Sequence, residues 1–365
     1  MDLVELGSQT ARNGFKNEND IVNKFNDLNI MTLEKELKEV VELDNLTEIK
    51  SNMKNIMNNG FSLDDYTLKE IEQILDTQTI ERTKYYINRL IKGLTAVRTN
   101  KINDINLNRW KEYDDIITDS LWVLDKRDSS GGHNANYWGN FIPQIPNQLI
   151  RRYTKENEWV LDTFLGSGTT LMECKRLNRN GVGIELQADV IELARKNISN
   201  DEDIFNNEIN KTRIEIINGD AASLDYKKKL NELGIDKVQL AILHPPYWDI
   251  IKFSEDLGDL SNTKTLQDFL SQIGRVVENV TKILEKNRYL ALVISDKYEN
   301  GEWLPLGFYT MQEVLKYGYI LKSTIVKNFE ETKAKINQKE LWRYRALVGG
   351  FYVFKHEYIF LFQKR

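Results

Sequence analysis

The chain has 365 residues, 41% hydrophobic and 29% charged, with a formal net charge of −5, an ordinary globular composition long enough for two domains. One cysteine, Cys174, and three histidines, His133, His244 and His356, exclude an internal disulfide and a multi-cysteine zinc site, so no metal is expected. No apolar run reaches the ~18 residues of a membrane span, and the start MDLVELGSQT lacks the basic region and apolar core of a signal peptide, so the expectation is a cytoplasmic protein with no membrane association.

Charge is spread unevenly. Residues 1–81 hold 8 basic and 17 acidic side chains, whereas residues 82–111 hold 8 basic side chains against Asp104 alone. Such a switch can mark a polyanion-binding element. Helical periodicity runs from about 32 to 98. TLEKELKEVVEL sets Leu33, Leu37, Val40 and Val41 at helical spacing. SLDDYTLKEIEQIL opens on a Ser-x-x-Asp capping signature and carries Leu68, Ile71 and Leu75 on one face. In TIERTKYYINRLIKGL, the apolar Ile80, Ile87, Leu90, Ile91 and Leu94 share one side, and Arg82, Tyr85, Arg89 and Lys92 the other. These cations suit a phosphate-tracking face; a solvated helix face has the same pattern.

After about 112 short β-rich runs alternate with helical ones: EWVLDTF, GVGIE, TRIEIING, KVQLAIL, RYLALVIS, YILKSTIV and FYVFKHEYIFLF. Helical patterns separate the first five, which predicts a mostly parallel α/β sheet. The last run follows another strand with no helix between them, so an antiparallel hairpin at the sheet edge is expected. The domains expected are a helical one over 1–112, a candidate DNA-recognition or partner element, and an α/β catalytic one over 113–365.

VLDTFLGSGTTLMECKRL reads as a strand, a glycine turn and a helix. The glycines let the backbone approach a ligand, and the helix start offers unpaired N–H groups. A Walker loop needs Gly-Lys-Ser/Thr, but Thr169 stands in the lysine position. A dinucleotide fingerprint needs a third glycine, but Leu171 occupies it. S-adenosyl-L-methionine has no phosphate and needs neither. NGVGIE ends in Glu185, placed to accept from ribose hydroxyls. INGDAA ends the next strand with Asp220, placed to accept from an adenine amino group. Asp162, Gly166, Gly168, Glu185 and Asp220 thus converge on one rim.

The fourth strand of this series ends in His244-Pro245-Pro246-Tyr247. With the glycine loop upstream, residues 118–365 resemble the amino-group DNA methyltransferases, which make N6-methyladenine or N4-methylcytosine and carry Asp, Asn or Ser before Pro-Pro-Tyr. LDTFLGSGTT resembles their first motif, and NFIPQIPNQLIRRYT (140–154) resembles the segment that closes over the methionine end of the cofactor. The resemblance implies a Rossmann-like class I fold, seven-stranded and mostly parallel with one antiparallel strand. It also implies cofactor contacts from Phe141, Ile142, Pro143, Phe164, Thr169, Thr170, Leu186 and Ala221 besides the residues above. The order of motifs is permuted relative to the members of closest wording. His244 departs from the family pattern, and no long segment resembles a target-recognition domain. Separately, ARNGFKNENDIVNKFND (11–27) resembles the start of some type II restriction endonucleases, which would fit a restriction–modification pair with a cognate endonuclease.

An exocyclic amino nitrogen is a poor nucleophile because its lone pair is delocalised into the ring. Two acceptors on its hydrogens would free that pair. The Pro245 carbonyl, aimed by the prolines, and a neutral His244 can serve, and Tyr247 can stack on a flipped base. Double-stranded DNA is the expected substrate, with N4 of cytosine slightly favoured over N6 of adenine because Trp248 follows Pro-Pro-Tyr. Rival readings are an RNA or protein-glutamine amino methyltransferase, and a non-catalytic DNA-binding specificity subunit. Cys174, inside the helix after the glycine loop, is expected to be a buried apolar residue, which excludes C5 chemistry. The segment ETKAKINQKELWRYR (331–345), read as a loop, mixes Lys333, Lys335, Arg343 and Arg345 with Trp342 and Tyr344, suited to phosphates and an extruded base; a mobile basic loop would look the same.

Overall fold

A computed structural model of the chain describes residues 18–58, 61, 63–124, 126–130, 133, 137, 139–200, 212–328 and 339–365, with side chains from residue 29 onward except that of Lys339. It divides into a unit of residues 1–100 and 105–114 and a second of residues 101–104 and 115–365. The segment 11–17, with its endonuclease-like wording, lies outside the described residues, as do Lys333 and Lys335.

The first unit contains helices α1 (Glu18–Val41), α2 (Leu46–Asn58), α3 (Asp65–Leu75) and α4 (Ile80–Thr95). Their apolar stripes meet in one cluster, with Leu33 and Leu37 of α1 against Ile49 and Met53 of α2, Ile71 and Ile74 of α3, and Ile87 and Leu90 of α4. The cap of α3 is Asp64, whose carboxylate accepts from Thr67 N–H at 2.7 Å; Ser62, which the sequence suggested, is not among the described residues. Arg89 stands with Arg82 at the Tyr86 ring but, unlike a fully solvated cation, is tied into an ion pair. Its guanidinium pairs with Glu70, 1% exposed, and donates to Gln73 Oε1 at 2.8 Å. A carboxylate so far from water needs cationic partners, and Lys111 supplies another at 2.7 Å.

In the second unit the chain runs β1 (Leu121–Trp122), α5 (Gln144–Tyr153), β2 (Trp159–Asp162), α6 (Thr169–Arg176), β3 (Asn180–Glu185), α7 (Ala188–Asn200), β4 (Ile214–Asn218), α8 (Tyr226–Glu232) and β5 (Val238–Leu243). It continues α9 (Leu266–Ile283), β6 (Leu284–Ile294), a small hairpin β7 (Lys297–Glu299) and β8 (Glu302–Leu304), α10 (Leu306–Leu315), β9 (Tyr319–Asn328), α11 (Lys339–Gly349) and β10 (His356–Lys364). The main sheet is eight-stranded, in the order β1-β9-β10-β6-β5-β2-β3-β4. It has one strand more than expected because the two-residue β1, too short to leave a periodic signal, adds to β9. Its strands are parallel except β10, which is antiparallel to both neighbours.

β10 is not the edge strand of a hairpin. It is inserted between β9 and β6, and α11 precedes it. Burial of both faces explains the insertion. Tyr358, Phe360 and Phe362 enter the cluster with α9, while Ile359 and Leu361 enter the one with α5. β5 is divided in the same way, with Ala241 and Leu243 on one side and Leu240 and Ile242 on the other. Alternate side chains of a strand point to opposite faces, so a sheet covered on both sides selects continuous apolar runs.

Candidate active site

The parallel strands β2, β3, β4 and β5 bring their carboxyl ends to one rim of the sheet, beside the switch point between β2 and β5 where ligands of open α/β sheets bind. Asp162 closes β2 and is fully buried; its Oδ1 accepts from Phe164 N–H at 3.0 Å. Burial pushes its carboxyl up to about 6. The turn that follows needs its glycines: φ is +55° at Gly166 and +91° at Gly168, which caps α6. A Cβ on Gly168 would also meet Ala194 and Ile198 at 3.3 Å. Glu185, at the end of β3, accepts from Gly166 N–H at 2.8 Å and Gln187 N–H at 3.0 Å. It therefore shapes the glycine turn itself, and burial raises its carboxyl above the usual range. Asp220 after β4 accepts from Ala222 N–H at 2.8 Å.

These elements border a cavity of about 860 Å³. Among the expected cofactor residues, Phe141, Ile142, Phe164, Gly166, Glu185, Leu186 and Ala221 line it. Pro143 caps α5, and Thr169 donates to Asn140 Oδ1 at 2.6 Å. Thr169 and Thr170 are buried at the start of α6. The hydroxyls of Thr163 and Ser167 are buried in the loop without a hydrogen-bond partner, and both residues line the cavity. A polar ligand seated on the loop would satisfy them. The tight glycine turn, the orphan hydroxyls and the carboxylate at the next strand fit the amino-acid and ribose ends of S-adenosylmethionine. Cys174 is buried on α6, and burial raises its thiol.

The His244–Tyr247 turn borders the same cavity. The His244 ring packs on Phe141, centroids 4.7 Å apart, and its Nε2 is 3.2 Å from Tyr247 Oη. Burial pushes His244 down to about 4, so the imidazole is neutral near pH 7. Tyr247 Oη donates to Glu357 Oε2 at 2.8 Å, and Glu357 Oε1 accepts from Lys327 Nζ at 3.0 Å. Trp248 next to the turn holds a left-handed φ of +52°. Its ring lies under Lys297 Nζ at 4.6 Å and its Nε1 donates to the Thr263 carbonyl at 3.1 Å.

Glu357 and Lys327 also line the cavity, and sequence reasoning did not single them out. A lone acid in the apolar run FYVFKHEYIFLF was the available signal, because a charge in such a strand needs a partner. The expected basic loop is instead helix α11 from Lys339 onward. It places Trp342 in the cavity wall, leaves Arg343 exposed, and sets Arg345 over the Trp342 ring at 5.1 Å. Arg82, Arg89 and Lys92 belong to α4 of the other unit.

Residues 11–196, just over half of the chain, match the family model described as DNA methylase. The match begins in the helical unit, upstream of the region on which the motif resemblance rests, and ends before His244. Three curated relatives named type II methyltransferases are similar over shorter stretches. M2.DpnII of Streptococcus pneumoniae is 26% identical over 168 residues, 44% of this chain and 63% of its own. M.BglI of Bacillus subtilis is 28% identical over 143 residues, 39% of this chain and 37% of its own. M.HpaI of Haemophilus parainfluenzae is 37% identical over 141 residues, 34% of this chain and 43% of its own. The chain thus spans less than two thirds of the length of each of these relatives. By the match over more than half its length, this chain belongs to the DNA methylase family.

Proposed function

We propose that the chain transfers a methyl group from S-adenosylmethionine to an exocyclic amino group of a base in double-stranded DNA, with N4 of cytosine the favoured acceptor. The observation that carries the reading is the meeting of the glycine loop and the His244–Tyr247 turn on one cavity. The glycine loop and Glu185 would hold S-adenosylmethionine, which would supply an electrophilic methyl whose bond to sulfur would break, the electron pair staying on sulfur, as the bond to nitrogen forms. The residues of this chain prepare the nitrogen. Neutral His244 and the Pro245 carbonyl accept from its two hydrogens and return the lone pair to nitrogen. After transfer the cationic nitrogen sheds one of those protons through the imidazole to water, which leaves a neutral methylamino base. Phe141 and Tyr247 flank the imidazole and bury it, which strengthens these hydrogen bonds.

DNA contact is assigned to Arg343 and Arg345 on α11 and to Arg82 and Lys92 on α4, all outside the ion pair that holds Arg89. A role in restriction–modification, beside a cognate endonuclease, belongs to the same proposal; the type II methyltransferase names of the relatives and the wording of 11–27 support it.

The test is incubation with tritiated S-adenosylmethionine and, separately, unmethylated DNA, total RNA and protein extract. The expected result is label in DNA alone, released as N4-methylcytosine on nucleoside digestion. N6-methyladenine would overturn the choice of acceptor, label in RNA or protein would overturn the substrate class, and cofactor binding with no transfer to any of the three would point to a specificity subunit.

A further inference from the structure

An imidazole accepts a hydrogen bond only through its unprotonated nitrogen, and which nitrogen that is depends on what the other one touches. Nε2 of His244 faces Tyr247 Oη at 3.2 Å. The one hydrogen of that hydroxyl is already committed to Glu357 Oε2 at 2.8 Å. Glu357 in turn holds the Lys327 ammonium at 3.0 Å, and the two side chains are only 10% and 6% exposed. A carboxylate paired with an ammonium in this setting accepts and does not donate. Polarity therefore runs from the ion pair outward: Tyr247 donates to Glu357, so the oxygen it turns to His244 presents a lone pair, and Nε2 must carry the proton.

We infer that Lys327 and Glu357, acting through Tyr247, lock His244 in the Nε2–H tautomer and so keep Nδ1 as the lone-pair nitrogen offered to the target amino group. The inference rests on the reading of His244 as the acceptor in methyl transfer and deepens it. Lys327 and Glu357 are positioning residues. The reverse tautomer would turn an N–H toward an amino group that needs an acceptor. Aspartate, asparagine or serine in the histidine's place would accept through oxygen without any such control, so the relay matters only for a histidine.

The structural half is read by long-range proton–nitrogen NMR of the full-length chain labelled on its three histidines, with His244 signals identified by their loss in His244→Asn. The expected result at pH 7 is a single Nε2–H pattern in the wild type. It should become a mixture in Glu357→Gln, whose amide can donate to Tyr247 and reverse it, and in Tyr247→Phe, which leaves the ion pair intact should Glu357→Gln fold poorly. The functional half is single-turnover methylation of unmethylated DNA. Both variants should be slower by about 10²-fold, within the range for a mispositioned proton acceptor, with the dissociation constant for S-adenosylmethionine unchanged. In a His244→Asn background the Glu357→Gln step should change the rate by less than about threefold. An Nδ1–H wild type, an unchanged tautomer in both variants, or an equal loss in the asparagine background would overturn the inference. The Nε2–H pattern in a wild type that methylates nothing would support the lock and overturn only the transfer reading.

Discussion

Lys327 and Glu357 stand directly opposite each other in the register of β9 and β10, and their side chains pair at 3.0 Å, almost out of contact with solvent. Removing Lys327 leaves the buried Glu357 carboxylate without its ammonium, which costs about 3–5 kcal/mol. Lys327→Met should therefore destabilise the chain by that amount, and Lys327→Met with Glu357→Leu should recover most of it, because packed apolar side chains replace the pair without an orphan charge. Urea denaturation of the four proteins in a double-mutant cycle reads the coupling. A single variant within 1 kcal/mol of wild type would show that water reaches the pair.

His244 gives a kinetic prediction with a defined sign. Burial pushes its pKa to about 4, the Glu357 charge pulls it up, and the Lys327 charge pushes it down. The neutral acceptor then persists well below the ordinary histidine value of ~6.5. Single-turnover methylation should stay flat from pH 8 to about 5 and fall with a midpoint near 4. A midpoint near 6.5 would mean that water reaches the ring. His244→Ala should slow transfer by about 10²–10⁴-fold while cofactor affinity holds. His244→Asp and His244→Asn should retain part of the rate, and His244→Phe should not.

Glu185 shapes the glycine turn, and we propose for it a second task in cofactor binding. Its oxygens already accept from the amides of Gly166 and Gln187, and the lone pairs left over are free for ribose hydroxyls. Glu185→Ala should weaken S-adenosylmethionine binding by about 1.5–3 kcal/mol for charge-assisted bonds. Glu185→Gln keeps two acceptor sites on one oxygen and should lose less. An unchanged dissociation constant for the alanine variant, measured by calorimetry, would confine Glu185 to shaping the turn.

The convergence of Asp162, Glu185 and Asp220 on one rim of the sheet was legible because each follows an apolar run within the same short word, next to the strand end that delivers it. The relay behind His244 was not legible, because Tyr247 and Glu357 lie 110 residues apart and meet only through the position of β10. An antiparallel strand brings its first residues to the rim where parallel strands bring their last, so reading β10 as an edge hairpin hid Glu357. Its unbroken apolar run was the sign of burial on both faces. α11 was read as a loop for its basic and aromatic mixture, although Leu341, Tyr344 and Val348 have helical spacing and Gly349-Gly350 ends it. The ion pair of Arg89 was hidden for another reason. A helical wheel orders the residues of one helix and says nothing of Glu70, 19 residues earlier on its neighbour.

α11 carries Arg343 and Arg345 beside a wall residue of the cavity, Trp342. If they hold phosphates, Arg343→Gln with Arg345→Gln should flatten the dependence of DNA affinity on salt by about one unit of log–log slope for each lost contact. Fluorescence anisotropy with a labelled duplex between 50 and 300 mM salt, about the range over which such slopes are resolved, gives the value. An identical slope would remove α11 from the DNA interface.

Asp162 supplies the last prediction, on stability. Its carboxyl is fully buried and burial pushes its pKa to about 6, whereas in the unfolded chain it lies near ~3.9. Between those values the folded state binds the extra proton, so its stability falls as pH rises from about 4 to 6 and stays lowered above. Asparagine has the same shape, and its Oδ1 can keep the bond from Phe164 N–H, but it carries no charge. Asp162→Asn should therefore gain about 1–3 kcal/mol at pH 8 and nothing near pH 4, measured as urea midpoints in the absence of cofactor. A buried carboxylate retained at that cost is expected to matter for the cationic cofactor, so the same variant should bind S-adenosylmethionine more weakly at pH 8. Equal stability at both pH values would mean that the carboxyl is solvated in the free protein, and that the floor of the glycine loop is wetter than its packing indicates.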